Sequence, residues 1–434
     1  MRREKLNASY VKQLTTAAQR IYPDVRTISG CPTDPEIMIQ GRSRLLICSP
    51  NYLGLAAHPA VITAFQDATQ RFGAGTVGSG VISGYTAAHQ KVEEDLARFM
   101  NEEAAIFFNA VSDASAGVIS AIVNPPLLPI LEGVSADQLG PCSVFMDSQN
   151  HASILDAVRL AKPDETYIYR HCDVEHLQEL LEGSHHPRKL IVTDGYFSMS
   201  ARVAPLVDIA DLCEQHAAML FVDDAHGTGV FGATGRGTPQ MLGVEERVDF
   251  WVGSTAKGLG VLGAYIAGPK ELMNYLRISS RRYLFSGTLP AGICAAVSQA
   301  LRTANEESWR RSRVRLNSTI LREGLRDIGC DVGGEGHIVP WFIGDDAEVD
   351  HVSHVLEQEG VFASALRFPA VPQGEAIVRF MLMATHTDEH IERTLRACAN
   401  ALHLRRQKQH LESLDLARVG TISQSDTAEF PLMA

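Results

Sequence analysis

The sequence predicts an α/β protein: a large domain on a mostly parallel sheet covered on both faces, followed by a smaller α+β domain. Three observations carry this. Short, mostly apolar runs alternate with helical segments, at Ala104–Phe108, Ser143–Met146, Lys189–Thr193, Met219–Val222, Asp249–Val252 and Gly263–Ala267. Apolar runs of this length between helices belong to strands buried on both faces. The chain has 434 residues, enough for two to three domain-sized units. After Pro290 the pattern changes to a long polar helix and then a few short strands around one helix.

In chain order, Asn7 to Arg20 has helical spacing, and Ile37–Gln40 with Arg44–Cys48 reads as a hairpin about Gly41. Glycines crowd the stretch from Asn51 to Gly84, where the backbone must bend or approach something closely. A helix over His89–Met100 follows, with Val92, Leu96 and Phe99 on one face, then a small-residue helix over Ala114–Val123 and another from near Ser153. Gln299–Asp327 reads as one connecting helix. Beyond it, Ile338–Ile343, Val361–Ala363 and Ile377–Met383 are strands around a helix over Val349–Glu359. The expected division is a leading segment over 1–50, a large domain over 51–290, a small domain over 291–403 and a tail over 404–434, polar and helix-like at first and poorly ordered over Gly420–Glu429.

Composition excludes several classes. Apolar residues make up 45% of the chain, so it is not a disordered protein. Lys and Arg number 39 against 51 Asp and Glu, a net charge of −12. That balance argues against a nucleic-acid backbone as partner, although a local basic pocket for a small anion remains open. The eight cysteines form no CxxC pair. They read as thiols of a reducing compartment, with neither a disulfide scaffold nor a metal site. The charged N-terminus lacks a signal-peptide core, and no run approaches the ~18 apolar residues of a membrane span. The expected location is the cytoplasm.

Three constellations can carry chemistry. In Val222-Asp223-Asp224-Ala225-His226-Gly227 an apolar run ends in two carboxylates with a His just beyond. At the ligand-facing end of a parallel strand, a carboxylate can hold a cationic ring nitrogen and the His a neighbouring oxygen. Asp-Asp serves equally well as a helix cap. In Gly253-Ser254-Thr255-Ala256-Lys257-Gly258 a lysine stands among small residues after a strand. Its amine can form a Schiff base and the hydroxyls can bind a phosphate, although a lone lysine in such a loop is also simply a surface group. In Asn150-His151-Ala152-Ser153 the His can stack on a planar ring, or Asn150 or Ser153 can cap a helix. The order shifts the balance. His151, then Asp223-x-x-His226 about 75 residues on, then Lys257 about 30 further, places a ring-stacker, a ring-nitrogen partner and a Schiff-base lysine at one crevice.

This ordered set resembles the fold-type I enzymes dependent on pyridoxal 5′-phosphate, and more closely the α-oxoamine synthases, from about Asn51 to His386. Seven motifs carry the resemblance: Tyr52-Leu53-Gly54-Leu55; Gly78-Ser79-Gly80 with Ser83-Gly84-Tyr85; Asn150-His151-Ala152-Ser153; Phe197-Ser198-Met199 with Ala204-Pro205-Leu206; Asp223 to Gly227; Gly235-Arg236-Gly237; and Lys257-Gly258. The resemblance implies that Lys257 holds pyridoxal phosphate covalently and moves protons at the substrate α-carbon. It implies that Asp223 pairs with the ring nitrogen, that His226 bonds the ring's phenolic oxygen with Ser198 in the same network, and that His151 stacks on the ring. Ser254, Ala110 and Val111 match the phosphate site, and Thr288 the position that reaches a partner subunit's phosphate. Arg379 matches the clamp for an amino-acid carboxylate, a task suited to a bidentate guanidinium. Asn51 and Ser79 fall on the substrate side.

The implied reaction condenses an amino acid with an acyl thioester of coenzyme A or a carrier protein, usually with loss of CO₂, in a homodimer with its active sites at the interface. This sequence departs from the family at Pro50, at Val111 where an aromatic is usual, at Met199-Ser200-Ala201-Arg202 where acids are usual, and at Gly287-Thr288. The charge reversal suggests Arg202 as a contact for an anionic part of the substrate or carrier, against its reading as a surface arginine. Two other functions compete: an aldolase- or decarboxylase-like enzyme on the same cofactor, and a non-catalytic partner subunit.

Overall fold

The protein is described by a computed structural model over residues 9–21, 26–126 and 136–422. After the helix Ser9–Ile21, strands β1 (Ile28–Ser29), β2 (Glu36–Ile39) and β3 (Arg42–Leu46) form an antiparallel unit. The β2–β3 hairpin turns through Gln40 and Gly41, both at positive φ (50° and 74°). Two left-handed residues give the turn whose twist matches the strands it joins.

The large sheet contains β4 (Ala104–Phe108), β5 (Cys142–Asp147), β6 (Glu165–Tyr169), β7 (Arg188–Asp194), β10 (Met219–Asp223), β11 (Phe250–Ser254) and β12 (Ala264–Gly268), in the order β4-β12-β11-β10-β7-β5-β6. β12 runs antiparallel to both neighbours and the rest are parallel, the mostly parallel sheet that the apolar runs predict. The edge strand β6 (ETYIY) was not among the predicted strands, because it is exposed and polar enough to lack an apolar run. Between β7 and β10 lies a small hairpin, β8 (Tyr196–Phe197) with β9 (Arg202–Val203).

Alternation along β5 and β7 feeds two cores, one on each face. Val144 and Val192 pack beneath the helices Val111–Val123 and Ala152–Ala161, whereas Phe145 and Ile191 pack beneath Val174–Gly183 and Leu206–His216. Successive side chains point to opposite faces, so one strand supplies both layers.

In the C-terminal part, β13 (Ile338–Gly344), β15 (Ser364–Leu366) and β16 (Ala376–Met381) form a three-stranded sheet in the order β13-β16-β15. Three expectations are corrected here. Gln299–Asp327 is two helices, Ala291–Glu306 and Trp309–Asp327, broken where Arg310 turns back to donate to Glu307 (2.8 Å) and to the Leu53 carbonyl (2.9 Å). The run at Val361 yields β14 (Val361–Phe362), which leaves the small sheet and pairs in parallel with β3. The tail over 404–434 does not start at a break: one 35-residue helix runs Asp388–Ile422, so Gly420 is helical, and residues 423–434 lie outside the described residues. All eight cysteines are free, and five of them are buried. Among the described residues, no helix is long and apolar enough to cross a membrane.

Candidate active site

Parallel strands aligned in register end together. β5 ends at Asp147, β7 at Asp194, β10 at Asp223 and β11 at Ser254, and Asp194 lies directly beside Asp223. The loops that follow carry His151, His226 and Lys257. Their side chains meet at a cavity of about 280 Å³ whose lining includes His151, Asp194, Ser198, Asp223, His226, Ser254 and Lys257. Four segments separated widely in sequence, around His151, Asp194, Asp223 and Lys257, thus converge at one strand-end crevice, where open α/β sheets bind ligands.

The two aspartates of the 223–224 pair divide between site and scaffold. Asp223 faces the cavity and accepts from the Ala225 amide (3.1 Å). Asp224 points the other way and accepts from the Thr238 amide (2.8 Å) and hydroxyl (2.7 Å). Gly227 and Gly237 pack so closely on its carboxylate that neither position has room for a Cβ. Burial pushes Asp224 up to about 7.

Burial also raises Asp223, and the nearby Lys257 ammonium opposes that rise. Burial lowers the Lys257 amine, with Asp223 and Asp194 working against it. A lysine held this way reaches its neutral, nucleophilic form at lower pH than a surface lysine. Burial drives His226 well below its ordinary value, so the ring is neutral. Its Nδ1 bonds the Tyr52 hydroxyl at 2.7 Å, leaving Nε2 for the cavity.

His151 is itself the N-cap of the helix Ala152–Ala161: its Nδ1 accepts from the Ser153 amide (3.2 Å), and its own amide donates to Asp194 (2.9 Å). Capping and a ring position beside the cavity therefore coexist. Asn150 locks the turn to β7 by donating to the Val192 carbonyl (2.8 Å) and accepting from the Asp194 amide (3.0 Å).

The helix Val111–Val123 begins at the cavity, after Ala110 and with no side-chain cap, so its first amides are free for an anion. Ser254, Ala110 and Val111 all line the cavity. The residues fit pyridoxal phosphate: an amine for its aldehyde, a buried carboxylate for its ring nitrogen, a neutral His for its ring oxygen, and an uncapped helix start with a serine for its phosphate.

Other predicted residues lie elsewhere. Arg379, on β16, donates to Ser198 Oγ (3.3 Å), and its buried Nε has no partner. Burial lowers this guanidinium, the situation of a cation short of an anion. Asn51 is turned into the scaffold, donating to the Thr33 carbonyl (3.3 Å) and accepting from the Ala56 amide (3.2 Å). Ser79 is bridged to Gly287, its buried hydroxyl without a partner. Thr288 donates to the Gly84 carbonyl (2.7 Å), apart from this chain's own cavity. Arg202 is exposed on β9.

Sequence reasoning missed Asp194, the Tyr52–His226 bond and the string Asp147–His171–Ser200. Asp194 had a signal: a mostly apolar strand ending in Asp, as at Asp223. The other two depend on residues far apart in sequence. His171 Nδ1 lies 3.0 Å from Asp147, and its Nε2 lies 3.1 Å from Ser200 Oγ.

An α/β scaffold with lysine, aspartate and histidines around a phosphate-binding helix start is that of a fold-type I pyridoxal-phosphate enzyme. A family model described as aminotransferase class I and II matches residues 44–397. The 8-amino-7-oxononanoate synthase of Symbiobacterium thermophilum is 38% identical over 371 residues, covering 85% of this chain and 91% of that protein. The corresponding synthase of Exiguobacterium sibiricum is 39% identical over 363 residues, covering 83% and 89%. Among solved structures, the serine palmitoyltransferase of Sphingomonas wittichii superposes with a TM-score of 0.83 at 31% identity, covering 92% of this chain and 98% of that one. A serine palmitoyltransferase from S. paucimobilis with a bound aldimine of pyridoxal phosphate and myriocin gives 0.83 at 28%, covering 93% and 98%. The chain belongs to the aminotransferase class I and II family and, within it, to the pyridoxal-phosphate-dependent α-oxoamine synthases.

Proposed function

We propose that the chain joins the α-carbon of an amino acid to the acyl carbon of a thioester, releasing a thiol and CO₂ and giving an α-amino ketone. The observation that carries this is the cavity itself: Lys257, Asp223, His226 and His151 around one space, with Arg379, its buried Nε partnerless, near enough for its charge to bear on Lys257 and His226.

When bound, pyridoxal phosphate supplies a carbonyl that captures amines and an electron sink for negative charge at the amino acid's α-carbon. The protein supplies the rest. Lys257 Nζ would hold the cofactor and is the group placed to take and return the proton at the substrate α-carbon. The Asp223 carboxylate would pair with the ring nitrogen and favour its protonated form. His226, fixed by Tyr52, would bond the ring oxygen, and His151 would cover one face. The first amides of the helix Val111–Val123 and Ser254 would take the phosphate. Arg379 takes the substrate carboxylate, which sets the scissile α-bond relative to the ring.

The same reading makes the protein a homodimer. The loop 76–84 and the loop 285–288 are tied together by Thr288, and they expose Val77, Ile82 (85%) and Phe285 (70%) to solvent. A second subunit would cover these groups and bring its Thr288 to the phosphate end. The thioester carrier is coenzyme A or an acyl-carrier protein.

The test is thiol release by holoenzyme supplied with each standard amino acid and short or long acyl-CoA donors, with product masses recorded. The expected result is thiol release only when both substrates are present, with a mass equal to their condensation less CO₂. Decarboxylation or aldol cleavage of the amino acid without thiol release would overturn it.

A further inference from the structure

Asp147, His171 and Ser200 form a carboxylate–imidazole–hydroxyl series, and none of the three lines the cofactor cavity. Asp147 is the last residue of β5, and backbone amides fix both of its oxygens. Oδ1 accepts from the Gln149 amide (2.8 Å) and Oδ2 from the Cys172 amide (2.7 Å). His171 Nδ1 lies 3.0 Å from Oδ1. A carboxylate can only accept, so the proton of the neutral ring sits on Nδ1 and Nε2 keeps its lone pair. Ser200 Oγ stands 3.1 Å from Nε2 and is therefore the donor. The Phe197 ring meets the imidazole edge-on, with centroids 4.5 Å apart at 88°.

This is the arrangement that turns a hydroxyl into a nucleophile: the carboxylate orients the imidazole, and the imidazole takes the hydroxyl's proton. Exposure rises along the series. The Asp147 side chain is 1% exposed, that of His171 13%, and Ser200 is half-buried, so the hydroxyl is the end a substrate can reach. Ser200 sits in the turn between β8 and β9, followed by Ala201 at a φ of 52°. Among the described residues, the amides of Ser200 and Ala201 donate to no protein acceptor, which leaves both available to an oxyanion. Cys172 Sγ also lies 3.7 Å from both ring nitrogens, but burial and Asp147 push its thiol up to about 12. The hydroxyl, not the thiol, is then the group that the imidazole serves. Ser200 falls in the 199–202 segment, where this sequence departs from its family. None of the three residues belongs to the loops 76–84 and 285–288 of the dimer reading.

We propose that Ser200 is a second nucleophile of this protein, which takes an acyl group from an oxygen ester or a thioester and passes it to water. Ser200 Oγ bonds to the acyl carbon as its proton passes to His171 Nε2. The carbonyl electron pair moves onto oxygen, returns, and breaks the bond to the alkoxide or thiolate, which leaves with the proton from His171. Water then attacks the acyl-serine, gives its proton to His171, and the carboxylic acid departs as Ser200 Oγ takes that proton back. The sequence needs neither the cofactor nor an amino acid, so it stands apart from the condensation proposed above.

The test uses holoenzyme without amino acid. It is treated with an alkyl fluorophosphonate, which loses fluoride to an activated serine, and the labelled peptide is found by mass. Hydrolysis of p-nitrophenyl acetate and of acetyl-pantetheine is followed alongside. Wild type should be labelled at Ser200 and hydrolyse at least one of the two donors, the faster one identifying oxygen or sulfur as the leaving atom. Ser200→Ala should lose the label, and its hydrolysis should fall about 10²-fold or more. His171→Asn keeps an amide that can donate to Asp147 but offers the serine no base. It should slow both labelling and hydrolysis by about the same factor while the absorbance of the bound cofactor stays as in wild type.

Absence of label from wild type overturns the proposal, because that arm needs no variant to fold. So does a label on Cys172 or any residue other than Ser200, or hydrolysis that Ser200→Ala leaves unchanged. Labelling of Ser200 that is equally fast in His171→Asn also overturns it, since the series would then be only a structural link.

Discussion

The two walls of the cofactor cavity are built differently. One is made from strand ends: Asp194, Asp223 and Ser254 are terminal residues of neighbouring strands in a seven-stranded sheet, and the loops bearing His151 and His226 are pinned by short hydrogen bonds. The other includes Tyr196 and Ser198 of the β8–β9 hairpin, behind which β16 of the small sheet reaches the hairpin through Arg379, 3.3 Å from Ser198 Oγ and 3.5 Å from Met199 Sδ. The first wall carries the residues through which the sequence resembles its family at the cofactor, and the hairpin of the second carries one of the departures, Met199-Ser200-Ala201-Arg202. A site assembled this way can change its substrate by altering the second wall while the cofactor chemistry on the first stays intact.

The sharpest break in that comparison is Lys257→Ala. It should lower turnover about 10³-fold or more and abolish the absorbance band of the lysine-linked cofactor, while pyridoxal phosphate still binds through its phosphate. A variant retaining that band would place the cofactor elsewhere.

Next come the adjacent aspartates, which separate chemistry from scaffold within one wall. Asp223→Asn should reduce kcat about 10²–10³-fold with Tm nearly unchanged. Asp224→Asn should leave kcat within a few-fold and cost about 1–3 kcal/mol of stability, because one amide hydrogen would face the Thr238 donors. Asp224 is raised from 3.8 to about 7 in the folded chain. Its contribution to stability is therefore full below about pH 4 and is lost as pH rises through about 7. The fall in wild-type Tm between pH 5 and 8 should be shallower in Asp224→Asn, as read by thermal melts across that range.

The sequence itself indicates why the first wall was legible and the second was not. Strand ends are local: an apolar run followed by Asp-Asp-x-His or by Ser-Thr-Ala-Lys announces both the strand and the group it presents. Their order supplied the crevice. Which of Asp223 and Asp224 faces that crevice followed from the resemblance rather than from the residues, since the distinction depends on Thr238 and Gly237, well downstream. Asn51 reads as a substrate contact because it stands next to Pro50, where the family carries a substrate-side Asn, yet its amide is spent on Thr33 and Ala56. The break at Glu307–Ser308 was hidden because no Gly or Pro marks it, and at the break Arg310 reaches the Leu53 carbonyl. Non-local bonds of this kind leave no periodicity to read.

On the second wall, Arg379→Lys should raise KM for the amino acid about 10- to 100-fold with a smaller loss in kcat, since an ammonium cannot reproduce a two-point grip on a carboxylate. Equal losses in kcat and kcat/KM with an unchanged KM would mean that Arg379 acts in the transition state alone.

The smallest effect tests whether the walls are independent. Asp147 accepts from the Gln149 amide (2.8 Å) and the Cys172 amide (2.7 Å) and meets His171, which reaches Ser200 in the hairpin. This string links the turn before His151 to the loop of the hairpin that carries Ser198. Ser200→Ala removes its last link, a bond worth about 0.5–1.5 kcal/mol. If the hairpin takes its position from the rigid wall, KM for the amino acid should rise about two- to threefold, with cofactor affinity unchanged. Adding Ser200→Ala to Arg379→Lys should then give less than the product of the two separate effects, since both act through the same hairpin. A fully multiplicative result would show that the hairpin holds its place without the string, and that the substrate wall is free to change on its own.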